Sequence, residues 1–331
     1  IAQTLETAKF DGMPESVIRA KLADMQLSPE EIASYVIQVA SRSDFPERSV
    51  SEGHLKDEYS GPLRTVINVV LDETGIDFSG YKRATLERQL MRRVVAMRFS
   101  RVEEYLDYLV GNPGEVDILQ RSFLISVTGF FRDLSAFESL RKEVEKFKEQ
   151  GLFERGLRIW VPACATGEEV YTIAILLSEV FPKELRKANV RIYATDIDDI
   201  ALETARRGLY PESVVETLPT EIIYNYFEPE GNSFRIRKWL RDMCMFARHD
   251  VTKDPPFLRM DFISCRNLMI FLNNDMQRSV LGNFHYSLVP QGLLFLGKGA
   301  SVNGEDLFVP IDNDSRVYRS RPGVFSTGRI S

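Results

Sequence analysis

The chain has 331 residues, 44% of them hydrophobic, enough to bury a sizeable core and to fill two domains. Forty-two Lys and Arg against 48 Asp and Glu leave a net charge of −6, which argues against nucleic acid as the partner of the bulk surface. Three widely spaced cysteines and three histidines, with no C-x-x-C, argue against a disulfide framework and a zinc site, and no apolar run reaches the ~18 residues of a membrane span. The expectation is a soluble cytoplasmic protein in a reducing compartment, without a metal. Its start at Ile1 rather than Met is that expected of a piece of something longer.

Within residues 1–40 the run S-P-E-E from Ser28 has the form of a helix start, with proline in the first turn and acids behind it. Residues 41–61 are polar, lack an aliphatic pattern and read as a linker. From Pro62 to Gln150 the periodic segments have helical spacing, so 62–150 is expected to be an all-α domain. Leu86, Leu90, Val94 and Met97 share one stripe, with Arg88 and Arg92 opposite, and further helices are expected at 102–110, 115–125 and 135–149.

After Gly151 short apolar runs (R-I-W-V-P, R-I-Y-A-T-D, D-F-I-S-C, G-L-L-F-L-G) alternate with helices near 168–181, 199–207 and 274–288. That alternation predicts a doubly wound α/β domain over 151–321 with a mainly parallel sheet, followed by a tail, 322–331. Between about 219 and 250 a helix at 220–227 and the alternation around G-N-S-F-R-I-R predict an antiparallel β insertion.

Ligands of open α/β sheets sit beyond the carboxyl ends of the strands. The first strand runs into P-A-C-A-T-G-E-E, with Gly167 the one glycine of the turn, so the dinucleotide pattern G-x-G-x-x-G is absent. Glu168 and Glu169 there either complement the helix dipole or face a cationic ligand, since a phosphate site avoids negative charge at this point. Asp196 ends the second strand, either accepting the hydroxyls of a ribose or capping the next helix, a task for which Asp198 is better placed. A ribose and a cationic amine without a pyrophosphate cradle point to S-adenosylmethionine. Arg266 and Asn267 end a further strand, where Arg266 is either a satisfied structural residue or a charge delivered to the same edge. In V-T-G-F-F-R-D, at the expected junction of the two domains, Phe130 and Phe131 are expected in the core, and Arg132 in an inter-domain ion pair or in the cleft. Between Lys82 and Arg101 seven basic residues stand against one acid, Glu87, as either a solvated face or a docking surface for an acidic protein.

Together the motifs I-D-F-S-G-Y-K, T-L-E-R-Q-L-M-R-R, V-T-G-F-F-R-D, A-C-A-T-G-E-E-V-Y-T-I-A, A-T-D-I-D and S-C-R-N-L-M-I-F resemble the chemotaxis receptor glutamate methyltransferases, the CheR family, over about residues 62–321. The resemblance implies a Rossmann-like S-adenosylmethionine-dependent methyltransferase domain with a small antiparallel β insertion, preceded by an all-α domain. It implies methyl transfer to glutamate carboxylates on the acidic cytoplasmic helices of chemoreceptors. Cofactor positions then fall at Ser126, Thr128, Arg132, Glu168, Asp196, Asp250, Val251, Arg266 and Asn267, with Glu168 on the methionine amine, Asp196 on the ribose, Asp250 on the adenine side and Arg132 on a carboxylate. Arg132, Arg266 and Phe271 form the catalytic set, and Arg88, Arg92 and Arg93 the receptor-docking set.

Departures from the family count too. Phe271 stands where the family usually has tyrosine, a change expected to slow transfer without affecting cofactor binding, and Ser126 and Asp250 stand where asparagine is common. The short turn E-P-E-G-N-S-F implies no tethering to a receptor tail peptide. Residues 1–40 resemble the C-terminal end of the chemotaxis methylesterases, with the triad aspartate falling at Thr4, which suggests a fragment of a CheB–CheR fusion without esterase activity. The competing reading is a signalling module that binds S-adenosylmethionine or S-adenosylhomocysteine with little turnover. A small-molecule or nucleic-acid methyltransferase is disfavoured by the missing Asn/Asp-Pro-Pro-aromatic motif and the negative charge.

Overall fold

The computed structural model describes residues 1–8, 14–15, 18, 23, 25–40, 61–126, 128–149, 151–152, 156–183, 185, 189–297 and 307–322. The expected linker, apart from Gly61, and nearly all of the expected tail lie outside the described residues. Two compact units emerge, Ile1–Asp77 with Leu86–Gln120, and Phe78–Thr85 with Arg121–Ser331.

In the first unit β1 (Ala2–Gln3) pairs in parallel with β2 (Gln26–Leu27). Helix α1 (Pro29–Ala40) starts where S-P-E-E places it. The Ser28 amide donates to Glu31 Oε2 at 2.8 Å and the Glu31 amide to Ser28 Oγ at 3.3 Å, a reciprocal capping box. Then follow α2 (Pro62–Thr74), α3 (Arg83–Ala96), α4 (Val102–Val110) and α5 (Pro113–Phe123). Leu86, Leu90 and Val94 of α3 are buried as their spacing requires, and α2 packs on α4.

Besides Phe78–Thr85, the second unit carries α6 (Leu134–Glu149), a helix whose period alone groups it with the preceding helical domain. Its Ala136, Phe137, Leu140, Val144 and Phe147 instead join the core of the sheet, so the sheet unit starts well before residue 151. Next come β3 (Arg158–Pro162), α7 (Glu168–Val180), β4 (Arg191–Asp196) and α8 (Asp199–Arg207). Asp198 caps α8, accepting from the amides of Ile200 at 2.9 Å and Ala201 at 3.2 Å, which leaves Asp196 available for other work.

A small antiparallel sheet joins β5 (Leu209–Pro211), β6 (Phe227–Glu230) and β7 (Ser233–Ile236) in the order β5-β7-β6, with α9 (Glu212–Val215) and α10 (Thr220–Tyr226) between β5 and β6. Helix α11 (Lys238–Arg241) leads to β8 (Cys244–Arg248). This corrects the expected insertion over 219–250. It begins at Leu209, and Cys244–Arg248 leaves it to pair in parallel with β4, Ile192 against Cys244 through Asp196 against Arg248.

The chain closes with β9 (Met260–Ser264), a 3-10 turn at Met269–Phe271, α12 (Asn274–Ser287), β10 (Leu288–Phe295), β11 (Phe308–Asp312) and β12 (Val317–Ser320). The seven-stranded sheet has the order β11-β12-β10-β9-β3-β4-β8, parallel from β10 to β8, with β11 and β12 antiparallel. Its direction of progression reverses at β3, since β4 and β8 lie to one side and β9 and β10 to the other. The crevice beyond β3 and β9 is therefore the switch point at which such sheets take ligands.

Candidate cofactor and active site

At that crevice the chain turns in strained conformations. Ala163 (φ 53°) and Ala165 (φ 47°) leave β3 in the left-handed region, as does Asn267 (φ 63°) after β9. Ile125 (33°), Phe131 (49°) and Asp133 (65°) do the same in the segment leading to α6. Left-handed non-glycine residues cost of order 1–3 kcal/mol each, and their gathering at one sheet edge marks a site rather than a random defect. Gly167 (φ 92°) completes the turn. A Cβ there would lie 2.9 Å from Ala205 Cβ and 3.2 Å from the Tyr210 hydroxyl, so the small residue lets α7 start against α8.

These turns enclose a cavity lined by Ser126, Thr128, Arg132, Glu169, Asp196 and Asp250, together with Val251, Arg266, Asn267, Phe271, Tyr81, Cys164, His249, Thr252 and neighbouring residues. Of the residues expected to hold cofactor, Glu168 alone is absent from the lining. It is buried, 5% exposed, with Oε2 accepting from Thr166 Oγ1 at 2.7 Å. The helical step of about 100° sends Glu169 to the cavity instead, where sequence spacing alone favoured neither.

Asp196 is 9% exposed and fixed by two amides, Ala165 to Oδ2 at 2.7 Å and Asp198 to Oδ1 at 3.0 Å. Burial raises its carboxyl above the ordinary range, against the lowering effect of those amides. Burial likewise raises Glu168, against the Thr166 hydroxyl, and Glu169, against Arg266 and Ser264. Glu169 Oε1 accepts from Ser264 Oγ at 2.6 Å, and Oε2 lies 3.6 Å from Arg266 Nη1. Asp250 Oδ1 accepts from the Thr252 amide at 2.9 Å and hydroxyl at 2.6 Å, which locks the loop after β8.

The two readings of Arg266 both describe part of what it does. Its side chain is 2% exposed, and Nη2 donates to the Arg132 carbonyl at 2.6 Å and to Asp133 Oδ2 at 2.9 Å. Its guanidinium lies over the rings of Phe137 and Phe295, at 4.9 and 5.1 Å. Phe130 is buried in the core edge-on to Tyr210 and Phe227, and Phe131 packs beside it.

Of the docking set, Arg88 and Arg92 are exposed on α3, but Arg93 is buried. Arg93 corrects the expectation: Nε and Nη2 donate to Glu115 at 2.9 and 2.7 Å, and Tyr105 donates to the same carboxylate at 2.7 Å. A guanidinium buried and paired in this way is not presented to a partner.

The acids suit a ligand that is cationic and hydroxyl-bearing. The start of α7 is closed to a phosphate, because the Ala165 amide already serves Asp196 and Glu168 and Glu169 occupy the first turn. Among the described residues no group of His, Cys, Asp and Glu is placed to hold a metal. No helix there is long and apolar enough to cross a membrane.

A parallel sheet with an antiparallel final pair, helices packed against it and an acidic cavity at the switch point defines a Rossmann-like methyltransferase domain. Residues 126–316 match the model of the CheR methyltransferase SAM-binding domain, and residues 62–124 that of the CheR methyltransferase all-alpha domain. The chain belongs to the CheR methyltransferase family. It is 33% identical over 98% of its length to an uncharacterized 104.1 kDa protein in the hypE 3′ region of Rhodobacter capsulatus, of which it spans 36%. A chemotaxis protein methyltransferase of Borreliella burgdorferi is 29% identical over 75% of this chain and 89% of its own. Chemotaxis protein methyltransferase 2 of Vibrio cholerae is 30% identical over 70% of this chain and 82% of its own.

Proposed function

We propose that the chain methylates glutamate side chains on the cytoplasmic helices of chemoreceptors, forming γ-glutamyl methyl esters in chemotaxis-type signalling. The observation that carries this reading is one cavity lined by acids suited to a cationic nucleoside, Asp196, Asp250 and Glu169, and by a cation suited to a carboxylate, Arg132. The chemotaxis role of the named relatives supports the choice of receptor.

When bound, S-adenosylmethionine supplies a methyl group on a sulfonium. Asp196 would accept the ribose hydroxyls, Asp250 and Val251 would line the adenine end, and the carboxylates that open α7, Glu169 in the wall and Glu168 beside it in sequence, would oppose the amino group. A glutamate side chain, with an ordinary pKa near 4.3, is already ionised at pH 7 and needs no base. What the site contributes is position, for which proximity offers ~7–11 kcal/mol, and the Arg132 charge that offsets desolvation of the incoming carboxylate. Arg88 and Arg92 would draw an acidic helix to α3.

The test is incubation with methyl-labelled S-adenosylmethionine and chemoreceptor cytoplasmic fragments. Base-labile label on glutamate is expected, and its absence across several receptors rejects the reading. Phe271, which brings no hydroxyl to the cavity, favours a second reading, a cofactor-binding signalling module with little turnover. Tight binding of S-adenosylhomocysteine without any transfer would select it.

A further inference from the structure

Tyr81 also lines this cavity. The residue is 7% exposed. Its backbone forms an isolated antiparallel bridge with Leu272, flanked by the Lys82 amide donating to the Phe271 carbonyl at 2.7 Å and the Asn273 amide to the Gly80 carbonyl at 2.9 Å. The ring meets Phe78 edge-on at 4.9 Å, and the Tyr81 amide donates to the Phe78 carbonyl at 2.9 Å. The phenol is therefore held on a short segment stitched to the turn that carries Phe271.

Its surroundings define its chemistry. Burial, then the negative charges of Asp250 and Asp196, keep the phenol protonated far above neutral pH. The carboxylate of Asp196 can only accept, so a sugar hydroxyl that donates to it keeps its own oxygen lone pairs unused. A protonated phenol in the same wall is a donor of the complementary kind.

We propose that Tyr81 is a cofactor-positioning residue whose hydroxyl donates a hydrogen bond to the nucleoside half of S-adenosylmethionine, in the cavity it shares with Asp196 and Asp250. This rests on the reading of that cavity as the S-adenosylmethionine site.

The test compares the full chain with Tyr81→Phe, which removes one oxygen and keeps the ring on Phe78. Calorimetric Kd values are measured for S-adenosylhomocysteine and for adenosine, alongside the melting temperature without ligand. A weakening of about tenfold for both ligands, with an unchanged melting temperature, is expected. Equal Kd values in the two proteins overturn the proposal, as does a drop in melting temperature with Kd unchanged. Loss confined to S-adenosylhomocysteine overturns the assignment to the nucleoside half. Failure of the unsubstituted chain to bind either ligand rejects the cofactor reading itself, and this inference with it.

Discussion

Arg266 Nη2 donates to Asp133 Oδ2 at 2.9 Å across 133 residues of sequence, joining the end of β9 to the start of α6. The same guanidinium faces Glu169 of α7, so one cation ties together three of the segments at the cavity. With both aromatic faces of its pocket filled by Phe137 and Phe295, Arg266 positions the turn carrying Arg132 more than it reaches for a ligand.

Replacing Arg266 by Met should therefore destabilise the fold by about 3–5 kcal/mol, because Glu169 and Asp133 lose their cation while partly enclosed. Gly297→Ala should act on the same group from outside. Its Cβ would lie 2.7 Å from Arg266 Nε at a φ of 68°, and a loss of about 1–3 kcal/mol is expected. Urea unfolding of both variants measures these losses, and wild-type midpoints would show that the cluster contributes nothing.

The arginines of α3 should separate into two kinds. Arg93→Ala leaves the Glu115 carboxylate buried without its cation and should cost about 3–5 kcal/mol, visible as a lowered melting temperature. Arg88→Ala with Arg92→Ala removes exposed charge and should change stability by no more than about 0.5 kcal/mol per site. That pair should instead raise KM for receptor fragments and flatten its dependence on salt. A KM unmoved by the double substitution would return α3 to a solvated face.

Much of this site was legible in the sequence because its residues end apolar strands. Asp196 is the last residue of β4 and Arg266 lies two residues beyond β9, and the parallel sheet then delivers them to one edge. What escaped depends on partners remote in sequence. Cys244–Arg248 alternates like a strand of an insertion, and only its register with β4 assigns it to the main sheet. Arg93 differs from Arg92 by one helical step and by Glu115, which sits two helices away. Tyr81 belongs to the quoted I-D-F-S-G-Y-K, yet its place in the cavity comes from a bridge to Leu272 that no local pattern announces.

Phe271→Tyr tests whether this cavity is held back for want of a hydroxyl. The residue lines the cavity and is partly exposed, so an added oxygen can meet water or ligand without overpacking a core. A hydrogen bond made mainly in the transition state raises kcat without altering ground-state affinity. Methyl transfer should rise by about threefold to tenfold with the Kd for S-adenosylhomocysteine unchanged. An unchanged rate would show that Phe271 is no impediment.

Glu168 offers a prediction in which stability and binding move in opposite directions. Buried and outside the cavity lining, its side chain meets the Thr166 hydroxyl, whereas Glu169 is offset by Arg266. Burial lifts the folded-state pKa of Glu168 above its unfolded value. Its favourable contribution is thus complete below the unfolded pKa and is lost as pH rises through the folded one. Glu168→Gln cannot ionise and keeps an acceptor for Thr166. The ligand-free variant should match the parent in acid and become the more stable of the two toward neutral pH. If Glu168 opposes the cofactor's amino group, the same substitution should weaken S-adenosylhomocysteine binding by about 10- to 100-fold at pH 7.5. Melting curves from pH 5 to 8 and calorimetry at pH 7.5 decide it. Stabilisation with undiminished affinity would leave Glu168 a buried acid that serves the turn alone.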